Sequence, residues 1–175
     1  MTSDSSTALA QILGDETFAA AMKRFADAFP AYREHLPRIP YAYSRTRLFA
    51  TPAFEIIAMS WAPQSISPIH DHGPSRCWVL MLEGTLDVQN FTCSDPARDG
   101  PLEIAATQRL TLRSGDVDHR LGPSELHRVG NPHATDRAVS LQLYAAPLST
   151  YCVVDARSHV RRTVTAACNL DLGFD

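Results

Sequence analysis

Two histidines separated by one residue are the groups in this sequence best suited to bind a metal ion. His70 and His72 flank Asp71. In an extended chain, residues i and i+2 point to the same face, so both imidazoles can reach one ion while Asp71 faces away. Imidazole is a common metal ligand, but histidine pairs of this kind also occur without metal at surfaces and core edges. The spacing predicts a metal site as the first hypothesis.

Cys77 follows the histidine pair and is the cysteine of most interest. The chain has four cysteines in all, and none belongs to a C-x-x-C pair. Neither a structural zinc site nor a dithiol redox site is therefore indicated. A disulfide framework is also not expected, because a chain of this size does not need cross-links and a reducing compartment is anticipated. The other three cysteines, at positions 93, 152 and 168, are interpreted as small buried apolar residues.

Composition excludes several classes of function. The chain has 175 residues, 45% hydrophobic and 20% charged, which predicts one globular domain over residues 1–175. The net charge is -3 and Lys23 is the only lysine, so the sequence has no basic stripe for nucleic acid and no polybasic membrane patch. No apolar run approaches the ~20 residues that cross a bilayer, and residues 1–8 lack the pattern of a secretion signal. Small-molecule chemistry in the cytoplasm is expected.

The N-terminal segment, residues 1–40, is predicted to be helical. From Asp15 to Phe29 apolar residues recur at steps of four, three and four, which places them on one face of a helix with Asp15 as N-cap: Phe18, Met22, Phe25 and Phe29. Prolines at positions 30, 37 and 40 end this region.

Residues 41–175 are predicted to form a β-barrel. Short β-branched and aromatic runs alternate with turn residues. Eight or more short strands need a closed or sandwiched sheet to remove their edges, which favours an all-β jelly roll. The predicted strands are Ala42–Phe49, Phe54–Trp61, Cys77–Glu83, Leu86–Thr92, Gln108–Leu112, Glu125–Gly130, Val139–Tyr144, Val153–Asp155 and Thr163–Ala167.

Two motifs in the β region resemble those of the cupin superfamily. The histidine pair is followed at the cupin spacing by the turn Glu83-Gly84-Thr85, but Cys77 stands where cupins have an acidic residue. The segment His127-Arg128-Val129-Gly130-Asn131 has the form of the second cupin motif. The resemblance implies a double-stranded β-helix with the N-terminal helices packed on one side. It also implies the metal ligands His70, His72 and His127.

The missing carboxylate changes the electrostatics of such a site. Iron(II), Fe(2+), held by three neutral imidazoles keeps its full charge, whereas a carboxylate ligand cancels part of it. The site should attract an anionic ligand, and a thiolate is a natural one because metal coordination deprotonates a thiol. Imidazoles also suit zinc, copper and nickel, so the residue types leave the metal open.

Cys77 together with Tyr144 narrows the resemblance to the thiol dioxygenases, and among them to the bacterial-like type I cysteine dioxygenase family. In that family a cysteine at the acidic position forms a thioether with a tyrosine beside the iron, which would here be Tyr144. The family also has an arginine, one strand before the histidines, that pairs with the substrate carboxylate. The best match is Arg45, with Tyr43 as the tyrosine whose hydroxyl nears the substrate. Arg47 shares a strand face with Arg45 and competes for the same role.

Two positions depart from the family pattern. Gln142 stands where the family often has a histidine, so the hydrogen bond that orients Tyr144 must come from an amide or water. The segment Ala145-Ala146-Pro147 replaces a Ser-Pro-Pro sequence and removes a potential cis-proline turn. The second departure concerns the local backbone rather than the metal site.

The resemblance implies an iron-dependent enzyme that oxidises L-cysteine with O2 to cysteine sulfinate in cysteine catabolism. The protein is expected to be a monomer or weak oligomer. One alternative is a dioxygenase of 3-mercaptopropionate or another small thiol. Such enzymes usually carry glycine at the position of Cys77 and glutamine at that of Arg45, so both residues favour cysteine. A second alternative is a non-enzymatic cupin that binds a metal or small molecule.

Overall fold

The chain folds into two six-stranded β-sheets. A computed structural model describes residues 20, 22–23, 26–27, 36–94, 102–122 and 125–172. The strands are β1 Tyr43–Ala50, β2 Glu55–Trp61, β3 Ile69–His70, β4 Arg76–Glu83, β5 Thr85–Ser94, β6 Glu103–Arg113, β7 Val117–Arg120, β8 Leu126–Gly130, β9 Ala138–Ala145, β10 Thr150–Val154, β11 Arg161–Thr165 and β12 Leu170–Asp171.

Strands distant in sequence pair with one another, as in a jelly roll. The first sheet has the order β12-β1-β2-β9-β4-β7, and the second has the order β11-β10-β3-β8-β5-β6. Antiparallel pairs such as β2 with β9, β4 with β9 and β5 with β8 are long-range connections. The expected all-β jelly-roll architecture is therefore confirmed.

The first sheet is covered on both faces, which explains why its central strands are buried along their whole length. All residues of β2 and β9 are buried. Along β2, Ile56 and Ala58 belong to an outer core cluster that also contains Met22, whereas Ile57 and Met59 belong to a cluster on the other face of the sheet. This inner cluster includes residues of the second sheet such as Leu86 and Val88. Successive side chains along β2 therefore point alternately into two different cores.

The predicted strands are present, with differences at their ends. The run predicted at Gln108–Leu112 is the second half of a longer strand, β6, whose exposed polar residues lack a clear alternation. Three strands had no sequence signal: β3 and β12 have two residues each, and β7 is a polar strand at the end of the first sheet. Two residues are too few to show a period of two.

Most of the predicted N-terminal helix lies outside the described residues. The described positions 20, 22–23 and 26–27 have helical backbone. Met22 is fully buried in the outer core cluster, as its position on the apolar stripe predicts. Within the described part of the chain, no helix combines the length and the apolar character that crossing a bilayer requires.

The turn between β4 and β5 depends on Gly84. Its φ is +74°, and a Cβ at this position would lie 2.9 Å from the carbonyl oxygen of Arg137. Only glycine fits both the backbone conformation and the close approach. The tight turn predicted at residues 83–85 is thus confirmed.

Candidate metal centre

Three histidines from two segments of the chain converge between the sheets. His70 ends β3, His72 lies in the loop that follows, and His127 is on β8, directly paired with His70. One ring nitrogen of each lies within 4.8 Å of the others, and the ring centroids are 4.3 to 5.3 Å apart. Three imidazoles so arranged can turn toward a single ion. The structure therefore brings together the ligands expected from the two motifs.

Backbone carbonyl groups fix the orientation of two of the imidazoles. His70 Nδ1 lies 3.0 Å from the carbonyl oxygen of Pro68, and His127 Nδ1 lies 3.0 Å from that of Glu125. A carbonyl oxygen only accepts, so each Nδ1 carries the proton and each Nε2 keeps a free lone pair. This is the tautomer that a metal ligand needs.

His72 has no such anchor. Its Nδ1 is buried and has no hydrogen-bond partner among the described residues, while its ring contacts those of His70 and His127 edge-on. A buried polar atom without a partner is costly. A metal ion held by the triad would give this imidazole the partner that the protein does not supply, so the donor set fits a metal.

Burial keeps the three imidazoles neutral. It lowers the pKa of His70, and it lowers the pKa of His72 and His127 well below the ordinary value. The charge of Arg120 acts in the same direction on all three. Neutral imidazoles with free lone pairs are ready to coordinate a cation without first losing a proton.

Asp71 holds the loop that carries the ligands. Its Oδ1 accepts hydrogen bonds from the backbone N–H groups of Gly73 and Cys152, at 2.9 and 2.8 Å, and its own N–H donates to the carbonyl oxygen of Cys152 at 3.1 Å. The carboxylate of Asp71 is therefore bound to backbone groups and does not join the three converging imidazoles, as the extended-chain argument predicts. Gly73 completes the loop with a φ of +53°, where a Cβ would lie 2.5 Å from the carbonyl oxygen of Thr150.

Cys77 and Tyr144 lie beside the triad on adjacent strands. They are direct partners in the pairing of β4 with β9, and the ring of His72 meets that of Tyr144 edge-on, with centroids 5.3 Å apart. Burial raises the pKa of Cys77 to about 12 and raises the pKa of Tyr144 well above its ordinary value. Both side chains are therefore protonated near neutral pH, so neither adds a negative charge to the site.

Gln142 orients the phenol of Tyr144. The hydroxyl of Tyr144 donates a hydrogen bond to Oε1 of Gln142, two residues earlier on the same strand face. The amide replaces the histidine that the family pattern often has here, so this expectation is confirmed. Beyond the tyrosine, the peptide bond between Ala145 and Ala146 is cis.

The two arginines of β1 have different surroundings. Arg45 lines the cavity above the histidines, and its guanidinium lies 5.5 Å from the ring centroid of Tyr144. Its Nε is buried without a hydrogen-bond partner among the described residues. Arg47, in contrast, forms ion pairs with Glu55 at 3.2 Å and with Asp171 at 2.8 Å. The structure thus leaves the Nε donor of Arg45 available to a ligand.

The cavity is small and mixed in character. Its volume is about 30 Å³. Tyr43 lines it, with its ring against that of Trp61 at a centroid distance of 4.8 Å. Burial, followed by the nearby Tyr151, raises the pKa of Tyr43, which keeps its hydroxyl a donor. The opening suits a small ligand rather than a bulky one.

Sequence reasoning missed three polar residues of the cavity wall. Asp118 and Arg120, on β7, line the cavity and are joined by an ion pair of 2.6 Å. Arg120 is the direct strand partner of Cys77. Tyr151, the second residue of β10, also lines the cavity. The only available signal was the alternation of Asp118 and Arg120 after the turn at residues 114–115, since the short strand β7 was not predicted.

A family model and several curated proteins match this chain. The model described as "Cysteine dioxygenase type I" matches residues 16–157. Cysteine dioxygenase type 1 of Rattus norvegicus and that of Homo sapiens are each 31% identical over 121 residues, which is 69% of this chain and 59% of theirs. The Bos taurus protein of the same name is 32% identical over the same length. The chain thus spans somewhat less than two thirds of the length of these relatives.

Solved structures share the fold at low sequence identity. The protein TT1209 from Thermus thermophilus matches with a TM-score of 0.51 and 19% identity, covering 66% of this chain and 94% of that one. A Klebsiella pneumoniae protein with a double-stranded beta-helix domain matches with a TM-score of 0.53 and 13% identity, covering 69% of this chain and 86% of that one. These matches support the fold alone. The predicted double-stranded β-helix of the cupin type is confirmed.

Proposed function

Because the chain belongs to the cysteine dioxygenase type I family, we propose that it is an iron(II)-dependent thiol dioxygenase that converts L-cysteine and O2 to cysteine sulfinate. The observation that carries the proposal is the convergence of three neutral imidazoles at a narrow cavity that is also lined by Arg45, whose buried Nε has no partner among the described residues. The reaction balances without a further reductant, because both atoms of one O2 are added to one sulfur.

His70, His72 and His127 would hold the metal through their free ring nitrogens. Bound iron(II) would bring the thiolate sulfur and O2 together and make their spin-forbidden combination possible. Three neutral ligands leave the metal charge uncompensated, and the protonated Cys77 and Tyr144 add no negative charge. The protein thereby favours an anionic sulfur ligand by electrostatics.

Arg45 would bind the carboxylate of the substrate. A guanidinium offers parallel donors that match a carboxylate, and it stays charged at all physiological pH values. Arg45 has a buried donor without a partner among the described residues, whereas the donors of Arg47 are engaged by Glu55 and Asp171. These contacts support Arg45 over Arg47. Tyr43, on the same strand face, would donate a second hydrogen bond to the same end of the substrate.

Cys77 and Tyr144 would form the wall next to the reacting sulfur. The hydroxyl of Tyr144 donates to Gln142, and the ring of Tyr144 meets that of His72 edge-on. A small rotation of this hydroxyl would let it donate to an anionic ligand instead. A thioether between Cys77 and Tyr144 would fix the ring in place, which lowers the entropic cost of holding that donor.

Oxygen uptake by the iron-loaded protein tests the proposal directly. Protein loaded with ferrous iron without air is mixed with O2 and with L-cysteine, 3-mercaptopropionate or cysteamine. We expect the highest kcat/KM with cysteine, and with ¹⁸O2 we expect both labelled atoms in the sulfinate. Faster turnover of 3-mercaptopropionate would assign the enzyme to the carboxylate-bearing thiols that lack an amine. The absence of uptake with every thiol would favour a cupin that only binds metal or ligand.

The cell compartment is part of the same proposal. The described cysteines are all free thiols: Cys77, Cys93, Cys152 and Cys168. Free thiols and a ferrous ion are both compatible with a reducing environment. We therefore expect the enzyme to act on free cysteine in the cytoplasm.

A further inference from the structure

Tyr151 stands on the wall of the cavity beside the metal ligands. It lines the same space as Tyr43 and Arg45, and its ring meets that of His70 edge-on with centroids 5.9 Å apart. The side chain is half-buried. Among the hydrogen bonds of the described residues, none engages its hydroxyl, so this group is free to bind a ligand.

The position of Tyr151 is fixed by the loop that carries the metal ligands. Strand β10 pairs with β3, where Val153 lies opposite His70. The next residue after Tyr151, Cys152, is held by two hydrogen bonds to Asp71, which stands between the two ligands His70 and His72. The backbone next to Tyr151 is therefore hydrogen-bonded to the same segment, residues 70–72, that carries two of the imidazoles.

On the other side, Tyr151 faces the residues that would receive the substrate carboxylate. It shares this part of the cavity lining with Tyr43 and Arg45. Two phenols and a guanidinium thus border one part of the cavity. A carboxylate has two oxygens with about four sites that accept hydrogen bonds, and the donors of Arg45 and Tyr43 leave part of this capacity unused.

We propose that the hydroxyl of Tyr151 donates a third hydrogen bond to the substrate carboxylate, next to Arg45 and Tyr43, and so selects thiols that carry a carboxylate. This inference rests on the proposed function, because it assumes that a thiol substrate occupies the cavity. It adds a binding residue contributed by β10, on the second sheet, to a clamp otherwise formed by β1 on the first sheet. The two sheets would then hold the substrate between them.

Tyr151→Phe removes the hydroxyl and keeps the ring. We expect the KM for cysteine to rise about tenfold or more, which is the loss expected for one hydrogen bond to a charged group, while kcat changes by less than about twofold. The dissociation constant of cysteine for the anaerobic iron-loaded protein should rise by the same factor. Affinity for cysteamine, which has no carboxylate, should not change. Tyr41→Phe is the matched control, since Tyr41 is 89% exposed.

Equal losses of affinity for cysteine and cysteamine would overturn the proposal, because they would indicate a general disturbance of the cavity. Unchanged cysteine affinity would overturn it as well. Iron content and melting temperature of Tyr151→Phe, compared with the wild type, separate a folding defect from a binding defect. If the wild type oxidises no thiol, the proposed function fails by itself. In that case, binding of 3-mercaptopropionate, which also carries a carboxylate, still measures the contribution of Tyr151 in the variant.

Discussion

Cys77 on β4 and Tyr144 on β9 face each other across an antiparallel strand pair, and both are at most 1% exposed. Side chains directly opposite in such a pair have Cβ atoms about 4.5 to 5.5 Å apart. The register of the pairing therefore brings the thiol next to the phenol ring. The edge of His72 touches the same ring, so a bond between the two side chains would form beside the candidate metal ligands.

The first prediction concerns a thioether between these two residues. Forming it removes the hydrogen of the thiol and one hydrogen of the ring, makes a carbon–sulfur bond, and requires O2 as the oxidant. After aerobic turnover with iron and cysteine, the intact mass should lie below the sequence mass by two hydrogen atoms. Cys77→Ser and Tyr144→Phe should each abolish this difference, whereas Cys93→Ser, which alters a cysteine outside the site, should keep it. A wild-type mass equal to the sequence mass after prolonged turnover would exclude the bond.

The second prediction separates the two arginines of β1. Arg45→Ala should raise the KM for cysteine by roughly 10- to 100-fold, because a charge-assisted contact to a carboxylate is lost. Arg47→Ala should leave the KM within about threefold and should instead lower stability, since it leaves the buried Glu55 without its ion-pair partner. Steady-state kinetics and urea unfolding of the two variants provide the comparison. If Arg47→Ala raised the KM more than Arg45→Ala does, the substrate carboxylate would instead be assigned to Arg47.

The third prediction concerns Gly73, which follows the ligand His72. A methyl group at this position would meet the carbonyl oxygen of Thr150 at 2.5 Å, in a backbone conformation with φ of +53°. Gly73→Ala should therefore lower the free energy of unfolding by about 1 to 3 kcal/mol and weaken metal binding, because the ligand loop must move away from β10. Gly122→Ala is the control, since a Cβ there would contact nothing within 4 Å. Equal stability of the two variants would show that the loop adapts without cost.

The sequence predicts those parts of the molecule in which a residue's place in the fold is reflected in a local pattern of residue types. Strands β2, β4 and β9 are found near their expected places because buried strands are rich in apolar residues on both faces. The histidine ligands were expected from two local motifs. Tyr151 was not expected in the site. Its place there depends on the pairing of β10 with β3, and a long-range pairing leaves no local pattern in the sequence.

The same limit applies to the charged pair in the cavity. Asp118 and Arg120 resemble the polar residues of an exposed strand, but Arg120 is only 8% exposed. Its strand, β7, closes the first sheet against β4, and this places the guanidinium in the interior next to Cys77. Burial of a charge is decided by tertiary packing, whereas the local sequence shows only that the residue is polar.

The fourth prediction concerns acid stability of the second sheet. Asp87 on β5 accepts hydrogen bonds from Arg109 and Thr111 on β6, at 2.5 and 2.8 Å. Although burial opposes ionisation, these bonds lower the pKa of Asp87. The carboxylate therefore stabilises the fold above the unfolded pKa of about 4, and this contribution is lost as the pH falls through the lower folded value. Asp87→Asn should be less stable than the wild type at pH 7 and closer to it at pH 3, as measured by urea unfolding. Asp136→Asn, which changes an exposed carboxylate, should differ little at either pH.

The fifth prediction concerns metal removal and the role of His127. Metal bound only by the folded state raises stability by RT ln(1 + [M]/Kd), about 2.7 kcal/mol when the metal is at 100 times its Kd. Ferrous iron should therefore raise the melting temperature of the chelator-treated wild type, with a stoichiometry of one ion per chain by elemental analysis. His127→Ala should lose this increase, because His127 supplies one of the three converging nitrogens. His133→Ala, in an exposed loop, should keep it. If His127→Ala still binds one ion with wild-type affinity, the ion is held elsewhere and the assignment of the triad is wrong.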